Sequence, residues 1–191
     1  MSSTDLSGTR VAFLLTNGFE DSELTSPWRA VTDAGGTAVL VSPASGTIAG
    51  KKGHTQAVDL NPAQADAADF DGLVLPGGVV NADHLRMDAH AVAFTKSFFD
   101  LGKPVAAICH APWILIEAGA AAGRRLTSYP SLRTDLQNAG ATWVDEEVVA
   151  DQGLVTSRTP ADLPAFDEET VTALAAHAAA GGKTKRAATR R

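Results

Sequence analysis

The chain has 191 residues, 45% of them hydrophobic and 20% charged, and a formal net charge of −6. This length and composition fit one globular domain that buries its core without disulfide or metal support, and they exclude an intrinsically disordered chain. A single cysteine excludes an intramolecular disulfide and suits a reducing compartment.

The charge is unevenly spread. Lys183, Lys185, Arg186, Arg190 and Arg191 fall within residues 181–191, which hold no acid, so the remaining body carries −11. A body this acidic argues against a nucleic-acid-binding surface, which needs clustered Lys and Arg. The basic segment 181–191 is expected to be a solvated, disordered tail outside a single domain spanning residues 1–180. Residues 1–8 are polar, so no signal peptide is expected. No run reaches about 18 apolar residues, so no membrane span is expected either. Together these predict a cytoplasmic protein without membrane contact.

Compact apolar runs at 11–15, 38–41, 73–75 and 105–108 predict strands buried on both faces. Between them, Leu24, Trp28 and Val31 recur at helical spacing, and Gly35 closes that segment. Residues 46–53 are glycine-rich and flanked by β-type residues. Asn61-Pro62 opens a short helix. Residues 83–101 predict one long helix ended by Gly102 and Pro104. Residues 110–118 and 131–139 predict helices closed by Gly119 and Gly140. Residues 148–157 read as strand, turn at Gln152-Gly153, strand. Thr159-Pro160 starts a last, alanine-rich helix that ends at Gly181-Gly182. The alternation of strand and helix predicts an α/β fold, a three-layer α/β/α sandwich with a mostly parallel sheet. Sites in such sheets lie at the carboxyl ends of the strands. Three junctions qualify: after Leu15, after Leu75 and after Ile108.

After Ile108 the chain reads Cys109-His110-Ala111-Pro112-Trp113. A thiol at a strand-to-helix turn is projected out of the sheet, and a helix N-terminus favours the reactive thiolate. His110 titrates near neutrality and suits general acid–base work. Adjacent helical residues do not face each other, so the pair acts together only if the turn re-aims one side chain. After Leu15 come Glu20, Asp21 and Glu23. Each is equally a helix-start carboxylate, and spacing alone does not choose among them. After Leu75, Gly77 and Gly78 allow backbone N–H groups close approach to a substrate oxyanion. The remaining histidines have no zinc-ligand spacing, and no dinucleotide or Walker A motif is present, so neither metal nor cofactor is expected.

Four segments in order carry a resemblance: Gly18-Phe19-Glu20-Asp21, Leu73-Val74-Leu75-Pro76-Gly77-Gly78, Gly102 through His110, and Thr127-Ser128-Tyr129-Pro130. With Trp143 through Val149 and Thr156-Ser157-Arg158, they resemble the ThiJ/PfpI family of the class I glutamine amidotransferase-like superfamily. The likeness is strongest to its PfpI branch of intracellular cysteine peptidases, stress proteins and glyoxalase- or deglycase-like enzymes, and it runs from about residue 11 to 171. It implies a flavodoxin-like central sheet, Cys109 as nucleophile, His110 as its histidine and Glu20 as the acid bonded to the thiol. It implies oxyanion donors at the Gly77-Gly78 turn, on the backbone of Gly78 and of His110. It also implies that Asp83 completes a triad with the histidine of an adjacent subunit, hence a homodimer or homohexamer. No late His-x-Glu follows, since His177 precedes Ala178 and Ala179, so a glutaminase is not expected.

The expected function is therefore a cysteine-dependent, stress-related enzyme acting on a small reactive carbonyl, or on a peptide or protein substrate, without nucleic acid. The competing expectation is a non-enzymatic redox sensor or chaperone. The lack of a second cysteine would then favour over-oxidation rather than disulfide signalling.

Overall fold

In the computed structural model, residues 4–188 are described, with side chains described to residue 181. Ten strands and six helices follow in chain order: β1 (Arg10–Leu14), α1 (Asp21–Asp33), β2 (Thr37–Val41), β3 (Thr47–Ala49), β4 (Thr55–Ala57), β5 (Gly72–Leu75), α2 (Val79–Met87), α3 (Ala89–Asp100), β6 (Val105–Ile108), α4 (Trp113–Glu117), β7 (Arg125–Leu126), α5 (Arg133–Asn138), β8 (Thr142–Trp143), β9 (Val149–Asp151), β10 (Leu154–Ser157) and α6 (Leu163–Ala188).

The main sheet has the order β2-β1-β5-β6-β10-β9. Every pairing is parallel except β9 with β10, which form a hairpin through Gln152 and Gly153, both with positive φ. Side chains alternate across this sheet and fill two cores. Val11, Phe13, Val74, Ala106 and Val155 face the layer built by α1 and α6, with Val31, Phe166 and Leu174. Ala12, Leu14, Leu73, Val105 and Ala107 face the opposite layer, with Leu85, Phe94 and Phe98. This is the three-layer sandwich expected from the strand–helix alternation, because strands buried on both faces read as unbroken apolar runs.

Several boundaries differ from expectation. The long helix expected over 83–101 is two helices. Asp88 has extended backbone, and its carboxylate caps α3 by accepting from Ala91 N at 2.8 Å, so the chain turns there. α2 begins at Val79, immediately after Gly78, rather than at Asp83. Asn61-Pro62 forms a turn instead of a helix, with Asn61 Oδ1 accepting from Ala63 N at 2.9 Å. Residues 109–112 are a tight turn, and α4 starts only at Trp113. α6 continues past Gly181-Gly182 to Ala188. The expected tail over 181–191 is thus helical in its first part, while residues 189–191 and the side chains after Gly181 lie outside the described residues.

The glycine-rich segment forms the β3–β4 hairpin, which folds back over the carboxyl end of β1. Gly18 N donates to Ala49 O at 2.8 Å, Lys51 N to Phe19 O at 2.9 Å, and Ala49 N to Asn17 Oδ1 at 2.9 Å. Asp21 accepts from the backbone N–H of Lys52 and His54 at 2.9 and 2.7 Å. Gly50 is required at this tip, because a Cβ there would sit 2.5 Å from Asp21 Oδ2. Among the described residues, no helix is long and apolar enough to cross a membrane.

Candidate active site

The three junctions converge at the carboxyl end of the sheet, after the adjacent inner strands β1, β5 and β6. Cys109 follows β6 directly and has φ 65°, a left-handed conformation that costs a non-glycine residue on the order of 1–2 kcal/mol. Two backbone hydrogen bonds hold it there: Cys109 N donates to Ser157 O at 3.0 Å, and Tyr129 N donates to Cys109 O at 2.8 Å. This elbow solves the neighbour problem noted above. It swings the thiol back toward His110, so that Sγ lies 3.1 Å from Nδ1 although the residues are adjacent. The five-residue α4 begins four positions later, so its dipole acts on the sulfur less than a helix starting at His110 would.

The carboxyl against the thiol belongs to Glu23, a correction to the expectation of Glu20. Glu23 lies one turn inside α1, on the buried stripe it shares with Leu24, Pro27 and Val31, and it is fully buried. Its Oε2 accepts from Gly77 N at 2.9 Å, its Oε1 is buried with no hydrogen-bond partner, and the carboxyl lies beside Cys109, both meeting the space a Gly77 side chain would fill. Glu20 occupies the N-cap position of α1 without a side-chain capping bond, and its buried side chain meets the docked hairpin instead. It forms ion pairs with Lys51 and, at 2.8 Å, with Lys52, both from the docked hairpin. Those two side chains shield Glu20 while remaining half exposed or more, so water still screens the pairs.

The electrostatics separate the two acids. Burial raises Glu20, but the lysine pairs outweigh it and hold its carboxyl below the usual carboxylate range. Burial dominates at Glu23 and pushes its carboxyl up to about 7, against the lowering effect of its hydrogen bonds to Cys109 and Gly77 N. Burial and the facing Glu23 carboxylate push the Cys109 thiol up in turn, whereas the Gly78 and His110 backbone N–H groups favour its anion. Two such groups in contact cannot both ionise cheaply, so their titrations are coupled. Burial, followed by the charge of Lys51, lowers His110, which is therefore neutral at pH 7 and able to accept a proton.

The glycine pair divides its work. Gly77 N–H is taken up by Glu23, so Gly77 offers no free oxyanion donor, contrary to expectation. Gly78 N–H lies near the sulfur together with that of His110, and both favour its anion. Gly78 has φ 92°, and a Cβ on Gly77 would lie 2.7 Å from Ile108 O and 2.8 Å from Cys109 Cβ, so neither position admits a side chain without strain.

Two further residues were not visible in sequence. Asn81 is fully buried and accepts from Thr16 N at 2.7 Å while donating to Pro76 O and Gly77 O, each at 2.9 Å. It ties the β1 and β5 junctions together. Ser131 Oγ is 3.5 Å from His110 Nε2, and the imidazole stacks on Tyr129 with centroids 4.4 Å apart. The bond of Asn81 to Thr16 and the contact of Ser131 with His110 join residues distant in sequence, so no local motif marks them. Asp83 is exposed on α2, and no hydrogen bond or ion pair joins it to His110 among the described residues. No cluster of three potential metal ligands occurs among the described residues.

A parallel sandwich carrying a strained cysteine elbow, with a carboxyl and a histidine on the sulfur, defines a class of cysteine-centred α/β proteins. Within it, this chain belongs to the DJ-1/PfpI family, whose model matches residues 9–173. Deglycase PH1704 of Pyrococcus horikoshii is 46% identical over 162 residues, covering 85% of this chain and 97% of that protein. General stress protein 18 of Bacillus subtilis is 46% identical, covering 87% and 98%. Protein/nucleic acid deglycase 2 of Escherichia coli is 45% identical, covering 87% and 98%. Among solved structures, a two-domain protein of Anabaena variabilis with DJ-1/ThiJ/PfpI-like and ferritin-like domains superposes with TM-score 0.85 at 34% identity, over 87% of this chain and 48% of that one. Drosophila melanogaster DJ-1beta superposes with TM-score 0.81 at 30% identity, over 87% and 90%.

Proposed function

We propose that this chain is a stress-related enzyme that uses Cys109 to process small reactive carbonyls, such as methylglyoxal or the adducts it forms on other molecules. The carrying observation is the buried Cys109 sulfur held between the Glu23 carboxyl, His110 Nδ1 at 3.1 Å and the Gly78 and His110 backbone N–H groups. The relatives named deglycase and general stress protein support the same reading.

The chemistry follows from these positions. Neutral His110 or ionised Glu23 takes the thiol proton, and the sulfur lone pair forms a C–S bond to the aldehyde carbon. The carbonyl electron pair moves to oxygen, where the Gly78 and His110 N–H groups stabilise the developing charge. Protonation gives a hemithioacetal. For a 2-oxoaldehyde, the proton on the former aldehyde carbon then moves, through the shared base, to the neighbouring carbonyl carbon. The result is a thioester of a 2-hydroxy acid. Water cleaves the C–S bond, releasing the hydroxy acid and returning the thiol with its proton. Oxidation at one carbon matches reduction at its neighbour, so no outside redox partner enters.

Asp83, exposed beside the exposed Val79, Val80 and Met87, is assigned to an interface where it would meet His110 of a second copy. A nucleic acid carrying a carbonyl adduct stays within the substrate range, because the acidic body argues against a phosphate-binding surface and not against a modified base at the thiol. The test is parallel measurement of methylglyoxal loss and peptide hydrolysis by wild type and Cys109→Ser. Methylglyoxal loss that falls at least about a thousandfold in the variant supports the reading. Cysteine-dependent peptide cleavage without methylglyoxal loss would instead establish a peptidase. A Cys109 that only oxidises under mild peroxide, seen by mass spectrometry without turnover, would establish a sensor.

A further inference from the structure

The His110 imidazole rests on Tyr129, and a series of hydrogen bonds runs behind Tyr129 to Trp143. The Trp143 indole N–H donates to Ser128 Oγ at 2.9 Å, and Ser128 Oγ donates to Tyr129 O at 2.9 Å. Tyr129 in turn touches both members of the site. Its N–H donates to Cys109 O at 2.8 Å, and its ring stacks on the imidazole with centroids 4.4 Å apart and planes 24° apart. The direction of the series is fixed by chemistry. An indole N–H is a donor only, so the Ser128 oxygen accepts from it and its one proton is left for the Tyr129 carbonyl. Ser128 is fully buried, so an unmade bond there is costly. Both ends are anchored. Trp143 lies on β8, which pairs in parallel with β7, and Val144 N donates to Leu126 O at 3.0 Å. At the other end Leu132 N donates to Tyr129 O at 3.0 Å, and Leu132 is fully buried in the core.

We infer that Trp143 and Ser128 are positioning residues for the Cys109–His110 pair, acting through Tyr129 to hold the imidazole against the sulfur. The inference rests on the Cys109 reading above and deepens it. His110 follows the strained elbow and lies in a turn, so no regular helix fixes its ring. Its Nδ1 edge meets Sγ at 3.1 Å, its Nε2 edge is 3.5 Å from Ser131 Oγ, and Trp113 meets it edge-on with centroids 5.6 Å apart. Tyr129 supplies the stacked face. Without the indole N–H, the buried Ser128 oxygen lacks its donor, its hydroxyl reorients, and the segment 127–130 loosens. The imidazole then turns away from the sulfur and toward water. A misplacement of about 1 Å at a reacting pair costs up to about a hundredfold in rate.

The test measures methylglyoxal turnover, and the titration of His110 by NMR of its imidazole, in wild type, Trp143→Phe, Ser128→Ala and the double variant. Trp143→Phe keeps an aromatic ring and deletes the N–H. In each single variant kcat is expected to fall about tenfold with KM nearly unchanged, a fraction of what a positioned base contributes. The double variant is expected to fall no further than the worse single one, because groups acting in series are not additive. Burial, ahead of the charge of Lys51, holds His110 below its ordinary 6.5, so release of the ring moves its midpoint up toward that value. Arg133→Gln removes the guanidinium 5.5 Å over the Trp143 ring but no bond of the series, and is expected to change neither reading. If Trp143→Phe does not fold, Ser128→Ala, which deletes one hydroxyl, carries the same two readings. Lower stability with kcat and the His110 midpoint at wild-type values, or losses that multiply in the double variant, would overturn the positioning role and leave the Cys109 reading intact. Wild-type turnover no faster than that of Cys109→Ser would overturn the Cys109 reading, and the His110 midpoint then decides the positioning role by itself.

Discussion

Glu20 and Glu23 lie three residues apart on the same helix start, yet they sit in opposite environments. Glu20 is 3% exposed, paired with Lys51 and Lys52 and accepting from Ser22 Oγ at 3.3 Å, and is held ionised. Glu23 is on the floor, sealed among Leu24, Gly77 and Cys109 and holding its proton up to about pH 7. One helical turn separates a carboxylate paired with half-exposed lysines from a carboxyl coupled to the buried thiol. The difference shows that a carboxylate's role here is set by which face of α1 it occupies. Distance along the chain from the thiol does not set it.

The largest expected effect comes from loosening the floor. Asn81→Ala strands Thr16 N and Pro76 O in the interior, while Gly77 O keeps only its 3.3 Å bond from Glu20 N. At 1–3 kcal/mol per buried unpaired group, the loss is about 4 kcal/mol, read by denaturant titration. Thiol reactivity should change as well, because the Gly77-Gly78 turn loses its tether. Asn81→Ala that unfolds at the wild-type denaturant midpoint would show that this tether is idle.

Next in size is the pH dependence of stability. Glu23 is raised from its ordinary 4.5 to about 7, so the folded state binds its proton more tightly than the unfolded state. Its contribution is fully present below about pH 4.5 and is lost as pH rises to about 7, a fall of ~3 kcal/mol. Glu23→Gln, which keeps the shape without the charge, should flatten the stability curve across this window. Glu20 has the opposite sign. Its lowered value contributes stability above the ordinary carboxylate range, which is lost as pH falls through its folded value. Its partners are exposed, so Glu20→Gln should cost under about 1 kcal/mol, and less at high salt. A larger loss for Glu20→Gln than for Asn81→Ala would reverse this order of effects.

Much of this architecture was legible in the sequence because parallel strands buried on both faces read as short unbroken apolar runs. Residues 11–15, 73–75 and 105–108 each appear as a strand, and the residues after them form the site. Helix ends were less legible. Asp88 reads as one more polar residue within 83–101 until its capping bond to Ala91 N is seen. Choosing Glu23 over Glu20 needed the direction in which α1 packs, which a resemblance to the Phe19-Glu20-Asp21 segment does not supply. One local sign did exist: Glu23, Pro27 and Val31 fall at i, i+4 and i+8, a spacing that puts Glu23 on the helix's buried stripe. Asn81, Ser131 and Lys51 act through partners brought in by the fold. Lys51 in particular gains its place only when the β3–β4 hairpin docks over β1.

The central claim is that the Cys109 thiol titrates in coupling with Glu23 and not with Glu20. The most direct measurement is the rate of iodoacetamide alkylation of Cys109 against pH, in wild type, Glu23→Gln and Glu20→Gln. Coupling between two buried acids predicts a two-step profile in wild type and in Glu20→Gln, and a single step in Glu23→Gln. A profile that loses its second step in Glu20→Gln and keeps it in Glu23→Gln would contradict the account.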